Sequence, residues 1–318
     1  MNMKHSFKIT AIIVLIFILS QLTGLLILDH YYTPTNNGAE EYKDLPMNIE
    51  RPEMNERDAW IYLISAIIFG TILMLGLIKM KAKIITKVWF FFAIAIALSI
   101  GFSAFIPSLY AMILAGIIAG IRSLKPNILV NNFSELFIYG GITAIFHNIL
   151  SIKVAIILLL LISIYDFIAV YKIKHMITLA KFQTKENMFA GAMIPYKIFT
   201  KNKNRIKNQS LKIKDIKSKI SFPILKKYDK NGKVVKKPRT SKSNKTAILG
   251  GGDMAFPLFF AGAILKEYSI TIALITILTS TLSLIYLFMI SKKSKFYPAM
   301  PYLTTGCLIG YGIILLLF

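Results

Sequence analysis

Apolar runs close to twenty residues long recur from one end of this chain to the other. A helix rising about 1.5 Å per residue needs about 20 apolar residues to cross a hydrocarbon core. Residues of the hydrophobic class make up 55% of the 318 positions and charged residues only 17%. The expected fold class is therefore an all-α polytopic membrane protein, not a soluble domain with one anchor. The formal charge of +23, taken alone, would suit a nucleic-acid partner. The bases sit between hydrophobic spans, however, so anionic lipid head groups are the simpler partner and no nucleic-acid role is expected.

Nine transmembrane helices are expected, over about 9–28, 59–78, 88–106, 108–121, 134–150, 154–171, 247–265, 269–291 and 298–318. The third stops near Pro107 and the short fourth ends at Arg122. Lys4 and Lys8 before the first run suit a signal peptide. No small-residue cleavage site is clear before Asp29, so the run reads as an uncleaved first span. With the N-terminus in the cytoplasm, the inside segments collect 33 of the 38 Lys and Arg residues, as the positive-inside rule requires. The outside loop 29–58 carries eight acids against three bases. An odd span number leaves the C-terminus outside.

This divides the chain into an N-terminal bundle 1–153, the sixth span 154–171, a basic cytoplasmic loop 172–246 and a final bundle 247–318. The loop holds 22 Lys and Arg against three acids and little apolar matter, and reads as partly disordered. Two pieces look more ordered. Met188 to Pro195 is an apolar patch suited to the membrane interface. Asn231-Gly232, flanked by Ile220 to Leu225 and Val234-Val235, is a hairpin signal. The single Cys307 lies in an apolar run, which allows no internal disulfide and no Cys-based zinc site. No metal, P-loop or dinucleotide motif is visible, and no cofactor is expected.

Of the 15 acids, only Asp166 and Asp253 fall inside these spans; Glu135 sits at an inner edge and Glu267 at an outer one. A charge in lipid costs roughly 2.5–3.5 kcal/mol on insertion scales, so such residues are usually functional. The sixth span runs inward and ends near Lys172; the seventh runs outward from about Ala247. Each aspartate lies six residues, or about 9 Å, from the inner end of its span. Two neighbouring carboxylates cannot both ionise cheaply and share a proton. One then activates water while the other hydrogen-bonds a scissile carbonyl and passes a proton to the leaving amine. Depth alone leaves a second reading open, in which the pair relays ions or protons.

Gly250-Gly251-Gly252 precede Asp253, with Leu249 before them. Missing side chains admit a substrate backbone beside the carboxylate, or simply close helix packing. Pro298-Ala299-Met300-Pro301 opens the ninth span on the same side as both aspartates. Two prolines leave backbone groups free, which at membrane depth requires a protein-lined or wet cavity. An ordinary proline at a helix start is the plainer reading.

Taken together, Tyr165-Asp166 in the sixth of nine spans, Gly250-Gly251-Gly252-Asp253 in the seventh and Pro298-Ala299-Met300 in the ninth resemble presenilins and signal peptide peptidases. Asp166 to Val170, with Lys172 to Met176 after it, is similar to the archaeal presenilin-like branch. The one departure is Met300 where the family carries Leu, a swap that conserves volume. The resemblance implies an intramembrane aspartic endopeptidase with Asp166 and Asp253 as its dyad. It also implies that Tyr165 packs beside the dyad and that Pro298, Ala299, Met300 and Pro301 shape the substrate cleft. Thr246 to Leu249 would be a strand edge for unwound substrate, with the 220–236 hairpin beside it. The substrates would be transmembrane segments of other membrane proteins, entering sideways from lipid, and self-cleavage within 172–246 would be possible.

Two rivals remain. A preflagellin or prepilin peptidase shares the Gly-x-Gly-Asp aspartate but not the Tyr-Asp, the proline motif or the nine spans. A cation- or proton-coupled transporter would use the same two carboxylates without proteolysis. No His-Glu-x-x-His zinc motif exists, and Gly101-Phe-Ser103-Ala lacks a second glycine for a rhomboid-like site. His147 reads as a satisfied core histidine. Frequent Ile, Lys and Asn suggest an AT-rich prokaryotic genome, hence the cell membrane as location. Oligomeric state is open.

Overall fold

The computed structural model describes residues 7–34, 40–80, 82–124, 127–173, 190–195, 246–291 and 297–318. The chain divides into two compact units. One comprises Met1–Met193 with Ile248–Phe318 and holds nearly all described residues; the other is Ile194–Ala247, described only at 194–195 and 246–247. The predicted hairpin at 220–236 and most of the basic loop lie outside the described residues.

Nine α-helices are present among the described residues. They are α1 (Phe7–Tyr31), α2 (Glu56–Lys79), α3 (Lys83–Ser103), α4 (Ser108–Leu124), α5 (Ile128–Phe146), α6 (Ile152–Ile168), α7 (Gly251–Glu267), α8 (Ile270–Ile290) and α9 (Met300–Leu317). Seven stretches are long and apolar enough to cross a membrane; α4 is shorter and α7 starts at a carboxylate-bearing turn. Helix is the form these sequences must take in lipid, because it satisfies the backbone within the segment. Polar residues mark the starts. Asn127 Oδ1 accepts from Leu129 N at 3.0 Å, Ser151 Oγ from Val154 N at 3.3 Å and Ser269 Oγ from Ile272 N at 3.4 Å.

Four short strands complete the described structure. β1 (Tyr32–Pro34) pairs antiparallel with β2 (Glu40–Tyr42) after α1. β3 (Gly191–Pro195) and β4 (Thr246–Gly250) form a second sheet. One expectation is corrected here. The seventh span is not helical from 247: residues up to Gly250 are strand, and the helix starts at Gly251. The apolar patch ending at Pro195 supplies the strand over 191–195.

Within the first unit α7 is the centre. It packs against α1, α5, α6, α8 and α9, and every residue from Pro257 to Leu265 is buried. Small residues set how close the helices come. A Cβ on Gly141 of α5 would stand 1.9 Å from the Ala97 carbonyl oxygen of α3, so these two backbones are in direct contact. In contrast, α2 is almost wholly exposed, and rests on α6 and α3.

Candidate active site

The two aspartates occupy matching places. Asp166 is the third residue from the end of α6, just before the π-helical turn Ala169–Ile173; Asp253 is the third residue of α7. The two helices pack against each other.

Asp166 is 6% exposed. Its Oδ2 accepts the backbone N–H of Met300 at 3.1 Å, and the N–H of Ala299 donates to the same carboxylate. Those amides belong to the start of α9, where the first N–H groups have no helical acceptor. Pro298 and Pro301 flank them and prevent a longer helix from consuming them. A helix N-terminus suits an anion, so the proline motif serves as a clamp on one carboxylate. One turn away, Ser163 Oγ and Thr304 Oγ1 are 2.6 Å apart, and Thr304 Oγ1 also reaches the Leu159 carbonyl at 3.3 Å. These contacts tie α6 to α9. Met300, Pro298 and Leu249 are buried.

Asp253 is partly exposed and accepts a hydrogen bond from the Gly250 N–H. Gly250 is extended, at φ −68° and ψ 150°, and ends β4 while capping α7. The glycines thus serve close approach. A Cβ on Gly250 would sit 3.2 Å from Asp253 Oδ2, and one on Gly251 2.9 Å from the Tyr139 hydroxyl. Gly252 is exposed and faces the Phe256 ring. Tyr165, next to Asp166 in sequence, is 38% exposed. It lines an apolar cavity of about 350 Å³ with Ile64, Ile68 and Ile72 of α2 and Leu161 of α6. A larger cavity of about 1160 Å³ lies at the far end of α5, among Tyr42 to Glu53 and Asn148, and contains neither aspartate.

Several residues at the site were not anticipated. Gln21, buried in α1, donates from Nε2 to the Met254 carbonyl at 2.7 Å. Glu135 is not at an edge: it lies seven residues inside α5, fully buried, and pairs with the buried Arg122 of α4 and with the Tyr139 hydroxyl. Asn131 Nδ2 holds the Gly191 carbonyl at 2.9 Å. Asn132 makes two bonds to the Met193 backbone, each 2.9 Å. The Gly251 N–H donates to the Ala190 carbonyl at 3.2 Å, joining the start of α7 to the residue before β3. A sequence signal existed, because Asn131, Glu135, Tyr139 and Thr143 recur every four residues on one face of an apolar helix. His147, just beyond, bonds the Gly262 carbonyl at 3.0 Å and stacks edge-on with Tyr32 and Tyr42, as a core histidine does. Among the described residues no three His, Cys, Asp or Glu side chains gather where they could hold a metal ion.

Known proteins agree with this architecture. Two solved structures of a presenilin family intramembrane aspartate protease, in C222 and P2 space groups, superpose with TM-scores of 0.60 and 0.57. Each is 16% identical; the matches cover 97% and 96% of this chain and 99% and 97% of theirs. At that identity they establish the fold alone. No curated protein matches the chain significantly. The family described as signal-peptide peptidase, presenilin aspartyl protease matches residues 14–318. With a match of that extent, on a fold shared with presenilin-family proteases, the chain belongs to the signal-peptide peptidase and presenilin family of intramembrane aspartyl proteases.

Proposed function

We propose that Asp166 and Asp253 are the catalytic pair of this intramembrane protease, and that they hydrolyse peptide bonds within transmembrane segments. The reading is supported by the placing of the two carboxylates on packed helices α6 and α7, with Asp166 held by the N–H groups of Ala299 and Met300. The pair shares one proton. The ionised member takes a proton from water as it attacks. The protonated member donates to the carbonyl oxygen, and the leaving amine collects the proton. No covalent intermediate forms.

The nine helices span the cell membrane with the N-terminus in the cytoplasm and the C-terminus outside. The basic inner face meets anionic lipid. Exposed Tyr165 and Ile248 of β4 lie on the path of a substrate arriving sideways, and the extended backbone of 246–250 offers it a strand partner. A substrate helix has its amides blocked by its own hydrogen bonds, so segments with helix-weakening residues are cut preferentially.

The test is reconstitution in liposomes with a single-span substrate carrying Gly near its centre, followed by mass spectrometry of the products. Cuts inside the span that vanish in Asp166→Asn and in Asp253→Asn support the pair. Ion-dependent uptake without proteolysis would replace it with the transporter reading.

A further inference from the structure

The polar face of α5 is not used by the two-aspartate chemistry, yet it points at the segment that carries Asp253. Arg122 and Glu135 form an ion pair at 2% and 0% exposure. Arg122 Nη1 also donates to Ser134 Oγ at 2.5 Å, and its guanidinium lies 5.6 Å from the centre of the Phe90 ring. The second carboxylate oxygen of Glu135 accepts the hydroxyl of Tyr139, one turn further along α5. That hydroxyl is fixed in turn against Gly251: it would be the nearest atom to any side chain placed there, at 2.9 Å. The amide of Gly251 donates to the Ala190 carbonyl at 3.2 Å. Gly251 is two residues before Asp253, in the first turn of the same helix.

Packing does not require this arrangement. A buried ion pair is often replaceable by apolar residues of similar volume without loss of stability. Phe would fill the space of the Tyr139 ring. What the cluster adds is a hydroxyl whose position is set by a fixed carboxylate, itself set by a planar, permanently charged guanidinium. The result is a rigid stop under the one backbone segment whose placement decides where the Asp253 carboxylate points.

We infer that Tyr139 is a positioning residue for Asp253, locked by the Arg122–Glu135 pair and acting through the backbone of Gly251. The inference rests on Asp253 being catalytic. It does not make Tyr139 a group that touches substrate, water or the reacting carbonyl.

The experiment is a double-variant cycle on the full chain in detergent or liposomes, using the single-span substrate and measuring kcat and KM separately. Tyr139→Phe is expected to lower kcat by about ten-fold or more with KM nearly unchanged, the pattern of an interaction felt at the transition state. Gly251→Ala is expected to lower kcat as well, because its methyl group meets the Tyr139 oxygen. In the double variant that oxygen is gone, so the two losses should be less than multiplicative. A structural role alone would move the unfolding temperature and leave no such coupling. Gly251→Ala leaves the Arg122, Glu135 and Tyr139 side chains in place in the sequence, and so provides an arm independent of the folding of Tyr139→Phe. Wild-type kcat in Tyr139→Phe or in Gly251→Ala overturns the inference, as do strictly multiplicative losses. Asp253→Ala is run alongside. Activity there would sink the catalytic reading itself, while an inactive Asp253→Ala beside a normal Tyr139→Phe would sink only the positioning role.

Discussion

Replacing Pro257 by Ala should make this protein more stable and less active. Pro257 is the seventh residue of α7, four after Asp253. A proline there supplies no N–H to the Asp253 carbonyl, and its ring presses on that carbonyl. Next to it, the Met254 carbonyl receives the side chain of Gln21 at 2.7 Å, so the first turn of α7 is held partly from outside the helix. Ala at 257 restores a backbone donor and about 3 kcal/mol of helix preference. The buried ring is lost; two methylenes fewer cost about 1.6 kcal/mol at about 0.8 kcal/mol per buried CH₂. The balance is about 1 kcal/mol in favour of Ala, or an unfolding temperature higher by about 2 °C for a chain of this size. The new bond also draws the Asp253 carbonyl into the helical ladder and turns its carboxylate. A misplacement of about 1 Å is enough for about a hundred-fold loss of rate. Thermal unfolding followed by intrinsic fluorescence, with kcat on the single-span substrate from the same preparation, reads both quantities. A lower unfolding temperature, or an unchanged kcat, would refute the reasoning that the proline holds the catalytic turn open at the expense of stability.

Two further outcomes follow from the same packing. Gly141→Ala places a Cβ 1.9 Å from the Ala97 carbonyl oxygen, against an ordinary contact of 3.4 Å or more, so α3 and α5 must part by over an ångström. Overpacking of this kind costs about 1–3 kcal/mol, and a clear fall in unfolding temperature is expected; an unchanged temperature would mean the two helices are not packed as described. Asn132→Ala removes both bonds to Met193, at about 1 kcal/mol each. Hydrogen exchange at the Met193 amide should rise, and unaltered protection there would show that β3 does not depend on α5.

The sequence made the aspartates conspicuous for a physical reason. A carboxylate is expensive in lipid, so Asp166 and Asp253 stand out in apolar runs where an acid elsewhere would not. The proline motif was legible for a related reason, since it breaks a helix where lipid tolerates no broken helix without a partner; that partner is the Asp166 carboxylate. The strand at 246–250 was harder. Thr246 to Gly250 continues the apolar run of the seventh span, and periodicity cannot separate a short strand from helix in such a stretch. Only the family resemblance pointed to it. The polar ladder on α5 was missed because the fifth span was drawn from residue 134, which put Glu135 at an edge. Asn127 is the true cap, so Asn131 and Glu135 lie within the helix. Gln21 is the one amide side chain in the first apolar run, and nothing in the sequence tells which carbonyl it meets.

Whether the two carboxylates act as a unit is decided by comparing cleavage rates among Asp166→Ala, Asp253→Ala and the double variant. Residues that act together lose their effect together. Each single variant is expected to fall to the level of the double variant, with no product from within the substrate span. Cleavage by either single variant above that level would contradict it.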